Sequence, residues 1–127
     1  KNLSYCYFDD ASALFASNVY MKGAAGFIIS NVIDISQFGY DIVFSDFFDD
    51  NIKSNYIFNG IYEINSTDYY SIGWHINKQN NPEYIWHTGG AIGGVTRLQI
   101  NTLKKTSTAV FCNTQSSGNG LNKNIVE

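Results

Sequence analysis

A chain of 127 residues that is 44% hydrophobic, 16% aromatic and only 15% charged has the apolar surface for one folded core, which excludes a disordered polymer. Its net charge of −3 is carried by eight basic and eleven acidic residues. Lys104-Lys105 is the one adjacent basic pair, so there is no stripe to neutralise phosphates and no nucleic-acid partner is expected. No apolar run nears the ~20 residues that span a bilayer, and the opening KNLSY has neither a signal-peptide pattern nor an initiator Met, so it reads as the start of a processed or excised piece.

The first 22 residues read as loop, with one helical segment over 11–18 capped by Asp9 or Asp10. Next comes GAAGFIISNVIDISQFGYDIVF. Asn31 and Asp34 have capping-box spacing, with Asp in place of the usual Glu. Val32, Ile35, Gly39 and Ile42 recur at helical spacing, with Phe38 on the same flank. These signals predict a helix over 31–44. The following stretch is rich in Asn, Asp and Ser and reads as turns, with a short strand or hairpin over 57–64.

From Tyr69 the pattern changes to period two. YYSIGWHIN (69–77) predicts one strand with Tyr70, Ile72, Trp74 and Ile76 on a common face. A polar turn over 78–82 leads to a second strand, EYIWHTGG (83–90). VTRLQIN (95–101) and TAVFCNT (108–114) predict an antiparallel hairpin about a turn at LKKTS. GNGLNKNIVE reads as the start of a helix. The fold class is therefore α+β: an antiparallel sheet of about four strands in the C-terminal half, with helices packed on it.

Four of the eleven glycines fall within WHTGGAIGG (86–94). A phosphate cradle would need those glycines between a strand and a helix, followed by Gly-Lys-Ser/Thr, and neither condition holds. A simple turn would need fewer. The remaining reading is a strand whose bare edge lets an extended substrate pair with its backbone. A threonine hydroxyl would bind the substrate's oxygen, and a glycine N–H would stabilise an oxyanion.

At these residues the chain resembles the serine β-lactamase and penicillin-binding-protein superfamily. HTGG (87–90) followed by GG (93–94) is similar to that family's third motif, His-Thr-Gly in its class C-like esterases and carboxypeptidases. YSIGW (70–74) resembles the Tyr-Gly-Leu-Gly-Trp signature that precedes it. GAAGFIISNVIDISQF (23–38) resembles the segment Ala-Gly-Gly-Leu-x-Ser-Thr-x-x-Asp-Leu-x-x-Phe, and AVFCNT (109–114) a closing strand. The blocks occur in family order over residues 23–114.

The resemblance implies an incomplete β-lactamase-like fold in which residues 1–127 form a single C-terminal fragment. It implies that His87 takes the cationic position, Thr88 binds substrate and Gly89 permits close approach. The N–H of Gly90 would be one of two oxyanion-hole donors. Substrates would be β-lactams, D-Ala-D-Ala peptides or small esters, with no cofactor and an extracytoplasmic location. The family's nucleophile is the serine of Ser-x-x-Lys. None of the lysines here has Ser three residues before it; the nearest pattern is Thr102-Leu103-Lys104-Lys105. The second motif, Tyr-x-Asn, is also absent; Tyr69-Tyr70-Ser71 imitates it only loosely. The chain alone is thus expected not to acylate. Its expected partner is a missing N-terminal segment of the same domain, or another copy through an uncovered sheet.

The other functional readings are a non-catalytic peptide- or sugar-binding module on Tyr69, Tyr70, Trp74, Tyr84 and Trp86, and an inactive truncated product. His75 reads as an ordinary strand histidine, Trp74 and Trp86 as packing residues, Asp9-Asp10 and Asp49-Asp50 as solvated loop, and Arg97 as a surface partner. Cys6 and Cys112 read as isolated thiols, a disulfide being the alternative. His75 and His87 lack the neighbours of a zinc site, so no metal is expected.

Overall fold

The computed structural model describes residues 6–7, 13–14, 28–91 and 94–113. Two short strands, β1 (Cys6–Tyr7) and β2 (Ala13–Leu14), pair antiparallel. Helix α1 (Val32–Phe44) follows, then α2 (Asp50–Ile52), which runs into a π-helical turn, Lys53–Ile57. The rest is one antiparallel meander: β3 (Tyr62–Glu63), β4 (Tyr69–Tyr70), β5 (His75–Ile76), β6 (Tyr84–Ala91), β7 (Gly94–Asn101) and β8 (Thr106–Cys112). They lie in the sheet in chain order, the simplest result of consecutive hairpins. The architecture is α+β.

Helix α1 begins where its cap predicts. The Asn31 side chain accepts hydrogen bonds from the backbone N–H of Ile33 (2.9 Å) and Asp34 (3.0 Å), and its amide donates to the Asp34 carboxylate (2.7 Å). Two of the four orphan donors of the first turn are thereby satisfied. Asn31→Ala is expected to lower stability by about 1 kcal/mol, read as a shift in urea midpoint at constant slope. Gly39, Ile42 and Val43 are buried, and α1 lies across β7 and β8. Ile76, Ile85 and Ile100, from three adjacent strands, have no exposed surface and form the centre of the core with Ile42, Val43, Ile57, Trp74 and Leu98.

Four sequence expectations are corrected. Ala13–Leu14 is strand rather than the middle of a helix over 11–18, because it pairs with Cys6–Tyr7; Asp9 and Asp10 lie outside the described residues. The turn-rich segment contains helix: the Asp49 side chain caps it by accepting from the N–H of Ile52 (2.7 Å). This leaves only Tyr62–Glu63 as strand within the expected 57–64 hairpin. The single strand over 69–77 is two strands. Ser71 N–H bonds Trp74 C=O (2.8 Å) around a two-residue turn, and Gly73 takes φ 78°, which favours glycine. The main sheet therefore has six strands rather than about four. The expected terminal helix, and the Cys6 side chain needed to judge a disulfide, lie outside the described residues.

Candidate active site

Strand β6 carries His87, Thr88, Gly89 and Gly90, and all four are exposed. On one side β6 pairs with β7 along its whole length, from Tyr84↔Asn101 to Ala91↔Gly94. On the other side β5 pairs only with Ile85 and Trp86. The β4–β5 hairpin is too short to reach further, because its turn comes at Ile72-Gly73. Beyond Trp86 this flank of β6 has no strand beside it among the described residues.

The alternation of an antiparallel ladder decides which amides lie on that open flank. The N–H of Asn77, beyond the end of β5, donates to Tyr84 C=O (3.2 Å). On the opposite side the N–H of Thr102, beyond β7, donates to Glu83 C=O (3.0 Å). Tyr84, and with it Trp86, Thr88 and Gly90, thus present their backbone groups to the flank away from β7. His87 and Gly89 present theirs to β7. The Gly90 N–H, assigned to the oxyanion hole by resemblance, has the parity that such a donor needs. Among the described residues a Cβ built on Gly90 meets nothing within 4 Å, so the sheet face above it is also uncrowded.

Side chains alternate between the two faces. His87 and Gly89 lie opposite Leu98 and Thr96 in the register, on the face that α1 covers. Between that helix and the sheet runs a cleft of about 730 Å³, within the size range of small-molecule sites. Its lining is apolar at Ile28, Ile29, Ile35, Phe38, Trp74, Leu98 and Phe111, and polar at Ser30, His87 and Thr96. A Cβ on Gly89 would come 2.7 Å from Thr96 Oγ1, so the bare residue keeps that approach clear. Thr88 shares the opposite face with its cross-strand neighbour Arg97.

His75 belongs to the same cluster. Its ring lies parallel to Trp86 (5.4 Å between centroids, 14° between planes) and edge-on to Tyr70 (4.7 Å, 83°). It stands 6.3 Å from the ring of His87. The Tyr70 hydroxyl is 3.4 Å from His87 Nε2. Sequence reading missed both residues, because their nearness depends on 69–77 folding back on itself. Gly73, a lone glycine inside the strand pattern, was the one weak signal for a break there. Arg97 is half-buried rather than a free surface charge. It gives Nε and Nη2 to Gln99 Oε1 (3.1 and 2.6 Å) and lies 5.7 Å over the Trp86 ring.

Burial, the nearby His87 and the Arg97 charge hold the His75 pKa below the ordinary histidine value of 6.5, against an upward pull from Asp68. The folded state then binds fewer protons than the unfolded one between the two values. The stability from a neutral His75 is complete above 6.5 and is lost as pH falls through the folded-state value. Melting temperature is expected to decline on acidification through this window, and His75→Gln to flatten that decline.

Among the described residues no three of His, Cys, Asp and Glu gather as a metal set, and no helix is long and apolar enough to cross a membrane. Comparison of the chain with family models, curated proteins and solved structures gave no match.

Proposed function

We propose that this chain supplies the substrate-binding strand and one oxyanion-hole amide of a serine hydrolase of the β-lactamase or D-Ala-D-Ala carboxypeptidase type. One observation carries the reading. Among the described residues the segment 87–90 has an open flank, the N–H groups of Thr88 and Gly90 are directed to it, and His87 lines an apolar cleft alongside. Had both flanks of β6 been paired through Gly90, no acyl group could have reached those amides. In this reading His87 stands beside the nucleophile's proton network, Thr88 binds substrate, Gly89 permits close approach and Gly90 donates to the oxyanion. The substrate is a β-lactam, a D-Ala-D-Ala peptide or a small ester, and the site works outside the cytoplasm.

The nucleophile comes from elsewhere in this reading, since the sequence has no Ser-x-x-Lys. The chain alone is expected to give no turnover of a chromogenic cephalosporin or a short-chain ester. Extension through the reading frame upstream of Lys1 is expected to supply Ser-x-x-Lys followed by Tyr-x-Asn, and with them turnover. Upstream sequence without those motifs, or family-like rates from the chain alone, overturns the proposal.

The aromatic-platform alternative needs its rings exposed in a row. Instead Trp74 is buried, and Trp86 is covered by His75 and Arg97. A missing segment, or a second copy, fits a different observation. Ile28, Ile29 and Ile33 are 82%, 74% and 76% exposed around the start of α1, large apolar side chains left facing solvent among the described residues. Sedimentation of the chain alone is expected to show concentration-dependent self-association, reversed by Ile29→Glu with Ile33→Glu. A strictly monomeric chain counts against an uncovered face.

A further inference from the structure

We propose that Tyr70 is a positioning residue for His87: its phenol O–H donates to Nε2 and fixes the imidazole proton on Nδ1. The role this gives the ring rests on the function proposed above, but the hydrogen bond itself does not. The Tyr70 hydroxyl lies 3.4 Å from His87 Nε2 across seventeen residues of sequence, its one hydrogen-bond partner among the described residues. The two are brought together by the register Tyr70↔His75↔Trp86 across β4, β5 and β6, which places His87 one residue past the end of that ladder.

The phenol is also held from behind. Its ring meets His75 edge-on, and His75 is stacked on Trp86. Turning Tyr70 away from His87 would disturb that contact. The direction of the hydrogen bond follows from acidity. A phenol O–H is a far stronger acid than a neutral imidazole N–H, and an unprotonated imidazole nitrogen accepts better than a phenol oxygen. The arrangement O–H···Nε2 therefore wins, and the ring proton goes to Nδ1. Histidine free in water prefers the other tautomer, so the assignment has a distinct signature. The remaining groups around this pair are His75, whose pKa is lowered by burial, His87 and Arg97, and beyond it Asp68, which raises that pKa, and Arg97. With Nε2 occupied, the proton His87 can share with an entering group is the one on Nδ1.

Long-range proton–nitrogen NMR of the labelled chain, at a pH where both histidines are neutral, reads the tautomer of each ring. His87→Gln identifies the signals. The expected result is a His87 ring protonated at Nδ1 in the wild type, moving toward the Nε2-protonated form in Tyr70→Phe, with the His75 ring unchanged. Phenylalanine keeps the aromatic packing, so a purely structural role for Tyr70 would leave the tautomer where it was. Incorporation of 3-fluorotyrosine at position 70 gives a second measurement without altering the packing. The more acidic phenol should move the Nε2 resonance further toward its hydrogen-bonded value. A wild-type His87 protonated at Nε2, or a tautomer indifferent to both changes, overturns the proposal. Neither outcome touches the hydrolase reading, and lack of turnover in the extended polypeptide would leave the tautomer result standing.

Discussion

Gly89→Pro destabilises the sheet by about 3 kcal/mol, whereas Gly90→Pro, one residue further on, costs no more than about 1 kcal/mol. Residue size does not separate the two sites, and neither glycine has a positive φ. They differ in where the lost N–H pointed. The register pairs Gly89 with Thr96 and Gly90 with Val95. Ladder alternation directs the Gly89 N–H into the β6–β7 interface and the Gly90 N–H to the flank that β5 leaves uncovered. Proline at 89 removes a ladder bond and pushes its ring toward β7. Proline at 90 removes a donor that faces open space, the one setting in which sheets tolerate it. Chemical denaturation of the two variants measures the difference directly. Amide exchange gives the same answer without mutation: Thr88 and Gly90 should exchange at least ~100-fold faster than His87 and Gly89. Equal costs, or equal protection, would mean the flank is closed and would remove the ground for placing an oxyanion there. In an extended, active polypeptide, Gly90→Pro should lower kcat by ~100- to 1,000-fold, the usual effect of losing one oxyanion-hole donor. Gly90→Ala should leave the rate largely intact, because its Cβ meets nothing within 4 Å.

Helix α1 was readable from the sequence, because it rests on a local rule: Asn31 and Asp34 cap a helix wherever they fall at that spacing. The hairpin of β7 and β8 was legible for the same reason, since VTRLQIN and TAVFC alternate cleanly about a polar turn. The glycine cluster marked the strand of interest but not its open flank, since Gly89 and Gly90 pair with β7 and only the end of β5 at Trp86 leaves the other side free among the described residues. The fold of YYSIGWHIN was not legible either. Period two continues unbroken through Tyr70, Ile72, Trp74 and Ile76, and nothing in that alternation reveals that Ile72-Gly73 closes a tight turn. Yet the shortness of β4 and β5 is what stops the sheet from covering His87. It also brings Tyr70 and His75 to that histidine. The helical DNIKSNYI was missed because Asn, Asp and Ser favour turns and caps alike. Only the Asp49 cap and the burial of Ile57 distinguish the two here.

The second large effect concerns the distance between helix and sheet. Gly39 lies in mid-helix, where glycine is about 1 kcal/mol worse than alanine, so something must favour it. A Cβ built there would stand 2.6 Å from Ser107 Oγ and 2.9 and 3.2 Å from the two methyl groups of Leu98. Leu98 is buried in the core, and the Ser107 hydroxyl is buried with no hydrogen-bond partner among the described residues, so neither has much room to retreat. In Gly39→Ala the gain in helix propensity offsets part of the overpacking, and a net loss of about 1 kcal/mol is expected. Gly39→Leu cannot be absorbed by rotamer changes and must lift α1 from β7, at about 3 kcal/mol, the upper end for an overpacked core. The decisive measurement is the pair Gly39→Leu with Leu98→Ala. Leu98→Ala alone removes buried apolar volume and should cost about 3 kcal/mol. If the two side chains compete for one space, the double variant should be more stable than the sum of the singles by at least ~1 kcal/mol. Simple additivity would mean that α1 does not rest on β7 at Gly39. Because Ile35, Phe38 and Leu98 line the cleft beside His87, the same lifting should also widen that cleft.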